Sequence, residues 1–212
     1  MIEWPDQKNL YNPIRKHIQL SFEIVGDSDE MGEVIADDLI DKEFDESKSK
    51  VLIFVQTRRG TEDATSNLKE ALADRNSEFA NKVDYYHAGL DSIDREEKYE
   101  NYKSGKIVIL IATKAFGMGM DIKNIHFIYH LGPSSTFEDY LQEVGSAGRN
   151  PKMLEEAGYS KENPLQSKCL ITKQDFKNQK DRLHRNEITW NQVNQVRETI
   201  FNYINKFTKV AP

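Results

Sequence analysis

The chain has 212 residues, a net charge of −6 and one cysteine, Cys169. This length suits one domain, or one domain with an appended helix, and a lone cysteine excludes an internal disulfide and a four-cysteine zinc site. No apolar run approaches the length that spans a bilayer and the start is not a signal peptide, so we predict a cytoplasmic protein without a membrane partner. Residues 27–46 hold ten acidic residues and one lysine, which leaves the remainder at +3. Composition therefore neither favours nor excludes a nucleic-acid partner.

The first predicted elements are a polar segment, a strand and a helix. Residues 1–17 are polar and contain two prolines, which predicts a linker or tether. Apolar and polar residues alternate from Ile18 to Ile24, a period of two that predicts a half-exposed edge strand. The apolar spacing from Met31 to Leu39 then predicts an acidic amphipathic helix.

Short apolar runs come next and alternate with helical patterns. The runs are mostly too continuous for strands with one exposed face, which predicts parallel strands buried on both faces. They span residues 51–55, 83–87, 107–111, 125–130 and 168–171. Ser135 and Glu138 form a capping box that opens a helix around residues 137–144. The alternation predicts an α/β fold, a parallel sheet with helices on both faces.

A further amphipathic helix is predicted at the C-terminus. Thr189 and Gln192 form a capping box, and an apolar stripe runs from Trp190 to Phe207. We therefore predict three segments: a tether at 1–17, the main domain at 18–186 and a C-terminal helical extension at 187–212.

Two sets of polar residues follow predicted strands. Thr57 and Arg58 come directly after the 51–55 strand, where ligands gather in an open parallel sheet and helix-start N–H groups suit a phosphate. Taken alone, these residues favour a solvated strand–helix turn over a binding site. His87 ends the next strand and could contact a phosphate or hold its loop.

A glycine-rich turn carries a stronger pattern. Thr113 is placed to offer a hydroxyl to a phosphate, and Gly117 and Gly119 permit close backbone approach. Asp121 is an acceptor for a ribose hydroxyl or an arginine. The spacing favours function over a plain turn with a capping aspartate.

About twenty residues later, a helix ends in glycine and presents an arginine. Gln142, Gly145, Gly148 and Arg149 form this set. An arginine supplied to a γ-phosphate stabilises charge in phosphoryl transfer. Alone, Arg149 could be a surface arginine after a glycine cap, but the upstream glycine turn favours the functional interpretation.

The sequence lacks the parts that hold a triphosphate and its metal. It contains no Gly-x-x-x-x-Gly-Lys-Ser/Thr phosphate loop and no Asp-Glu-x-His or Asp-Glu-x-Asp run. We therefore expect these residues alone not to hydrolyse ATP.

Residues from about 15 to 172 resemble the second, C-terminal RecA-like lobe of RecQ-type superfamily 2 helicases. Four blocks carry the resemblance in the family's order and spacing, at 51–58, 87–90, 112–119 and 142–149. The resemblance implies an ATP-dependent DNA helicase with 3′-to-5′ polarity that uses ATP with Mg²⁺. A first, N-terminal RecA-like lobe would supply the phosphate loop and the Mg²⁺ ligands, and the partner would be single-stranded or partly duplex DNA.

The resemblance also implies roles for individual residues. Arg149 and Gln142 would be catalytic. The residues that would face the nucleotide are Gly117, Gly119, Asp121, Gly145 and Gly148. Those that would face the nucleic-acid backbone are Thr57, Arg58, His87 and Thr113.

Two departures from the family pattern keep alternatives open. Ser146 stands where the family usually has a second arginine, which fits a non-catalytic nucleic-acid-binding or scaffold lobe. Asp121 and Ile122 resemble DEAD-box proteins more than RecQ, which keeps a lobe of an RNA helicase or duplex translocase open. The zinc module that follows many RecQ lobes cannot be built from Cys169 alone.

Overall fold

The computed structural model describes residues 18–116, 122, 124–145, 159, 164–186 and 198. Six strands form one sheet in the order β1-β6-β5-β2-β4-β3, and every neighbouring pair is parallel. The strands are β1 Ile18–Val25, β2 Lys50–Val55, β3 Val83–Tyr86, β4 Ile109–Ala112, β5 Ile125–Leu131 and β6 Leu165–Thr172. The predicted parallel sheet is confirmed.

Five α-helices accompany the strands in the described part of the chain. They are α1 Glu30–Asp41, α2 Arg58–Asp74, α3 Ser92–Ser104, α4 Phe137–Val144 and α5 Lys173–Asn186, with short 3-10 helices at Glu78–Lys82 and Lys114–Phe116. The chain divides after Lys173 into two compact units, so the sheet and α1–α4 belong to the first. The apolar pattern did not predict α5, because this helix is almost entirely polar and shows no continuous apolar stripe.

The core consists of two hydrophobic clusters, one on each face of the sheet. Val51 and Ile53 of β2 point into the cluster that α1 and α2 cover. Leu52 and Phe54 point into the other cluster, which includes Tyr102 of α3. Successive strand residues face opposite sides, so β2 must be apolar at every position, as its continuous run predicted.

The edge strand β1 is half exposed, as its alternating pattern predicted. Phe22 is 72% exposed and Ile24 is 57% exposed, whereas Ile18 is buried. Its neighbour β6 begins at Leu165 rather than at the predicted Lys168, because Leu165 pairs with Ile18 and is fully buried.

Asp38 joins α1 to the middle of the sheet. Its carboxylate accepts hydrogen bonds from the Tyr129 hydroxyl, from Lys168 Nζ at 2.9 Å and from Lys42 Nζ at 2.7 Å. Burial acts to raise the pKa of Asp38, but these three hydrogen bonds outweigh it and hold the pKa below its ordinary value.

The predicted capping box of α4 is wrong by one residue. Thr136, not Ser135, is the N-cap, and its hydroxyl oxygen accepts from Asp139 N at 3.0 Å. Ser135 instead donates to Gln56 Oε1 at 2.9 Å. Three consecutive hydroxyl residues all suit a cap, so a contact with a distant loop decides which one serves.

The predicted C-terminal helix at 187–212 lies outside the described residues, apart from Glu198. Among the helices that are described, none is long and apolar enough to cross a membrane.

Candidate functional site

Three predicted site residues meet at one edge of the sheet. Thr57 follows β2, Thr113 follows β4 and His87 follows β3, and these three strands are neighbours in the order β2-β4-β3. Because parallel strands end at the same edge, the turns that carry these residues lie side by side.

Thr57 opens α2 as its N-cap. Its backbone is extended, and its hydroxyl oxygen accepts from Gly60 N at 3.0 Å. The side chain is exposed, so the hydroxyl hydrogen remains available to an acceptor such as a phosphate oxygen. The first N–H groups of a helix have no partner inside it, which makes this turn a suitable anion contact.

His87 is buried, with 5% of its surface exposed, and holds its own turn. Its Nδ1 accepts from Gly89 N at 3.1 Å, and its Nε2 lies 3.1 Å from Glu62 Oε1. We assign the ring proton to Nε2, since Nδ1 must be the acceptor in the first contact. Both ring nitrogens are thus engaged by protein atoms, which favours the loop-holding role over direct phosphate contact.

Arg58 is exposed at the start of α2 and lies across the turn after β3. A Cβ atom built on Gly89 would be 3.0 Å from both Cδ and Nη1 of Arg58. Within the described residues no carboxylate pairs with Arg58, whereas the adjacent Arg59 pairs with Asp63 at 3.6 Å. The guanidinium of Arg58 therefore keeps its donors for a ligand.

Thr113 is half-exposed between β4 and the short helix Lys114–Phe116. Its N–H donates to Tyr86 O at 3.2 Å, and its carbonyl accepts from Phe116 N at 3.0 Å. Phe116 is buried and anchors the end of this turn. The following glycine turn, with Gly117, Gly119 and Asp121, lies outside the described residues.

Helix α4 carries the next predicted residues at its C-terminal end. Gln142 is exposed in its last turn, and Gly145 caps the helix, donating to Leu141 O at 2.9 Å. A Cβ on Gly145 would lie 3.0 Å from that same carbonyl oxygen, so the cap favours glycine. Gly148 and Arg149 lie outside the described residues.

Beneath α4 lies a buried polar group that the sequence did not predict. Glu143 accepts a hydrogen bond from the Ser134 hydroxyl, and its Oε2 is 3.2 Å from His130 Nε2. Neither ring nitrogen of His130 makes a hydrogen bond of acceptable geometry with a described residue, so this close approach is not a directed hydrogen bond. The ring is instead stacked on Phe54, with 5.3 Å between centroids. The sequence feature that could have predicted this group is a charged residue, Glu143, on the buried face of a short amphipathic helix.

Two side-chain contacts tie α4 to the turns of the central strands. Ser135 reaches Gln56 beside Thr57, and Lys114 Nζ lies 3.5 Å from Asp139 Oδ2. These contacts bring the start of α4 next to the turns that carry Thr57 and Thr113.

The described site suits a phosphate backbone better than a metal. Exposed hydroxyl, guanidinium and helix-start N–H donors are the groups that contact phosphate oxygens. The described residues contain no group of three histidine, cysteine, aspartate or glutamate side chains able to hold a metal ion.

Comparison with known proteins points to one domain family. A family model described as the helicase conserved C-terminal domain matches residues 35–151. The chain is 42% identical over 69 residues to a putative ATP-dependent DNA helicase Q1 of Caenorhabditis elegans, which covers 32% of this chain and 11% of that protein. It is 30% identical over 101 residues to the probable ATP-dependent DNA helicase RecS of Bacillus subtilis, which covers 48% of this chain and 19% of that protein. The chain thus spans only a small part of the length of these relatives.

A solved structure shares the fold. The Mycobacterium smegmatis helicase Lhr, bound to ssDNA and AMP-PNP, superposes with a TM-score of 0.55 at 21% sequence identity, over 74% of this chain and 20% of that one. At this identity the likeness concerns the fold alone, and it confirms the expected RecA-like arrangement.

Proposed function

The chain belongs to the family of helicase conserved C-terminal domains, and from this premise we propose that it is the C-terminal motor lobe of an ATP-dependent DNA helicase. Its curated relatives of the RecQ type support this proposal, and so do the four sequence blocks that resemble that family. The observation that most directly supports the proposal is a set of hydrogen-bond donors in the turns after β2 and β4. The side chains of Thr57, Arg58 and Thr113 are exposed or half-exposed there. We further propose 3′-to-5′ movement on single-stranded or partly duplex DNA.

The proposed nucleic-acid contacts are with the backbone. Hydroxyl and guanidinium donors bind phosphates regardless of sequence, so binding should show little sequence preference and a strong dependence on salt. His87 would act here by holding the turn that Arg58 crosses, since its ring is buried.

The proposed nucleotide contacts lie at the end of α4 and in the glycine turn. Gln142 is exposed in α4, and by resemblance Arg149 would meet the γ-phosphate and stabilise its developing charge. Gly145 and Gly148 would let the backbone after α4 lie close to the nucleotide. Gly117, Gly119 and Asp121 would contact the nucleotide from the glycine turn. Bound ATP would supply the phosphoryl transfer, and we assign the Mg²⁺ ligands and the phosphate loop to an N-terminal RecA-like lobe.

The remaining assignments are also proposals. We take residues 18–186 as the lobe, 1–17 as its tether and 187–212 as a helical extension. A cytoplasmic location stays a prediction that rests on the lone cysteine, Cys169.

One observation favours a second function. Ser146 stands where the family usually has arginine, so loss of turnover would leave a nucleic-acid-binding scaffold lobe. An RNA helicase lobe or a duplex translocase remains the third possibility, because Asp121 and Ile122 resemble DEAD-box proteins.

The test is ATP hydrolysis by the natural protein that contains this sequence, with and without single-stranded DNA. We expect DNA-stimulated turnover that falls by about 10³-fold or more in Arg149→Ala, the effect of removing an arginine finger. Arg59→Ala is the matched control, because Arg59 is an arginine whose side chain is 90% exposed and which lies outside the proposed nucleotide site. Absence of turnover would favour the scaffold lobe, and stronger stimulation by RNA would favour the RNA helicase.

A further inference from the structure

We propose that His87 and Gly89 are positioning residues that keep Arg58 available for a phosphate of the nucleic-acid backbone. In this proposal His87 engages Glu62, which would otherwise pair with Arg58, and Gly89 leaves the space that the Arg58 side chain occupies. The proposal rests on the proposed function and deepens it, because it names the residues that prepare one of its contacts.

The first step concerns a pairing that the sequence favours and the structure avoids. Arg58 and Glu62 are four residues apart on α2, the spacing at which opposite charges meet on a helix surface. One position further along, Arg59 and Asp63 have the same spacing and do pair, at 3.6 Å. Arg58 and Glu62 do not pair, although both side chains are exposed on the same turns of the same helix.

His87 explains the difference between the two pairs. Glu62 Oε1 lies 3.1 Å from His87 Nε2, so the carboxylate is turned towards the end of β3. The ring cannot swing away easily, because it is buried, stacked on Tyr85 at 5.6 Å and bonded through Nδ1 to Gly89 N. A buried donor therefore holds the acidic side chain that would neutralise Arg58.

Gly89 directs the freed guanidinium. A Cβ at this position would approach Arg58 Cδ and Nη1 to 3.0 Å and His87 Nδ1 to 3.2 Å. The absence of a side chain therefore lets Arg58 lie along the turn.

The experiment measures binding of a fluorescent single-stranded oligothymidine to the 212-residue chain by anisotropy, across a range of salt concentrations. Arg58→Ala should weaken binding and reduce the slope of log K against log salt by about 0.7, the value for one phosphate contact on a single strand. His87→Ala should weaken binding about 3- to 10-fold, because Glu62 is then free to pair with Arg58. The double variant His87→Ala with Glu62→Gln should recover most of that loss, which a purely structural defect would not allow.

Gly89→Ala provides a second, independent arm if His87→Ala does not fold. It should weaken binding in the natural background and add little in an Arg58→Ala background, because both changes act through the same guanidinium. Arg59→Ala is the matched control for loss of one positive charge on the same helix turn.

The outcomes separate the two levels of the proposal. If Arg58→Ala leaves both affinity and salt slope unchanged, Arg58 does not contact the backbone and the proposed contact fails together with its positioning. If Arg58→Ala weakens binding but Glu62→Gln does not rescue His87→Ala, or Gly89→Ala adds in full to Arg58→Ala, the positioning roles alone are overturned. An equal loss in Arg59→Ala would mean that any positive charge on this turn suffices.

Discussion

Asp38→Ala should destabilise the fold far more than the same change at the neighbouring Asp37. Asp38 is the acceptor that α1 offers to Tyr129 of β5 and Lys168 of β6, and its side chain is only 14% exposed. Asp37 is 62% exposed and pairs with Arg75 at 2.7 Å on the helix surface. The two substitutions remove the same group from adjacent positions and differ only in what it contacts.

The expected cost can be worked from those contacts. Tyr129 is 1% exposed, and removing the carboxylate leaves its hydroxyl without an acceptor, at a cost of about 1–3 kcal/mol. Lys168 retains Glu23 at 3.3 Å, and the exposed Lys42 contact contributes about 0.5 kcal/mol or less. We therefore expect the free energy of unfolding to fall by about 1–3.5 kcal/mol in Asp38→Ala, against about 0–1 kcal/mol in Asp37→Ala.

The assay is urea unfolding followed by circular dichroism at pH 7 and at acidic pH. The folded-state pKa of Asp38 lies below its ordinary value, so its contribution is complete above about pH 4 and is lost as the pH falls further. The difference in free energy of unfolding between the natural chain and Asp38→Ala should accordingly become smaller as the pH is lowered. Equal costs for the two substitutions at pH 7, or a gap that widens in acid, would refute this account of Asp38.

Two further predictions concern the first turn of α2 and a buried histidine. Thr57→Ala should lose the hydrogen bond from Gly60 N and about 1 kcal/mol of stability, together with some affinity for single-stranded DNA, whereas Thr57→Ser should retain the stability and the affinity. Urea unfolding measures the stability and fluorescence anisotropy measures the affinity. An alanine variant that is unchanged in both measurements would contradict the prediction. Burial lowers the pKa of His126, which contacts Ser49 Oγ through Nδ1 at 3.1 Å. The unfolded chain therefore binds a proton near pH 6.5 before the folded chain does, and stability should fall as the pH drops below about 6.5. His126→Gln should flatten that part of a Tm profile between pH 7.5 and 5.5, and an equally steep profile in the variant would exclude His126 as its cause.

The sheet was predictable because a strand that is buried on both faces appears in the sequence as a continuous apolar run. A parallel strand such as β2 needs an apolar residue at every position, and a continuous run at 51–55 shows this without any long-range information. Helix α5 was not predicted, because its residues are almost all polar and give no apolar periodicity. The α4 cap was misplaced by one residue, because Ser135 is engaged by Gln56, which is distant in the sequence.

The site was predictable as a set of positions but not as a set of contacts. The turn that carries Thr57 and Arg58 follows from the order of strand and helix alone. The partner of His87 is Glu62, 25 residues earlier on another element, and nothing in the sequence links the two. The same holds for Glu143 and His130, which meet only because α4 packs on β5. The roles of Arg149, Asp121, Gly117, Gly119 and Gly148 stay predictions from resemblance.

All six strands run in the same direction, so the turns that follow them lie at one edge of the sheet. Substitutions at exposed positions of this edge should therefore differ in their cost to stability from substitutions in the core. Exposed residues of the turns after β2 and β4, such as Thr57, lie outside both hydrophobic clusters, so the loss of the Thr57 cap costs about 1 kcal/mol of stability. Emptying a fully buried position such as Leu68 costs about 2–5 kcal/mol. Exposed positions at this edge of the sheet can therefore be substituted at a smaller cost in stability than positions in the core.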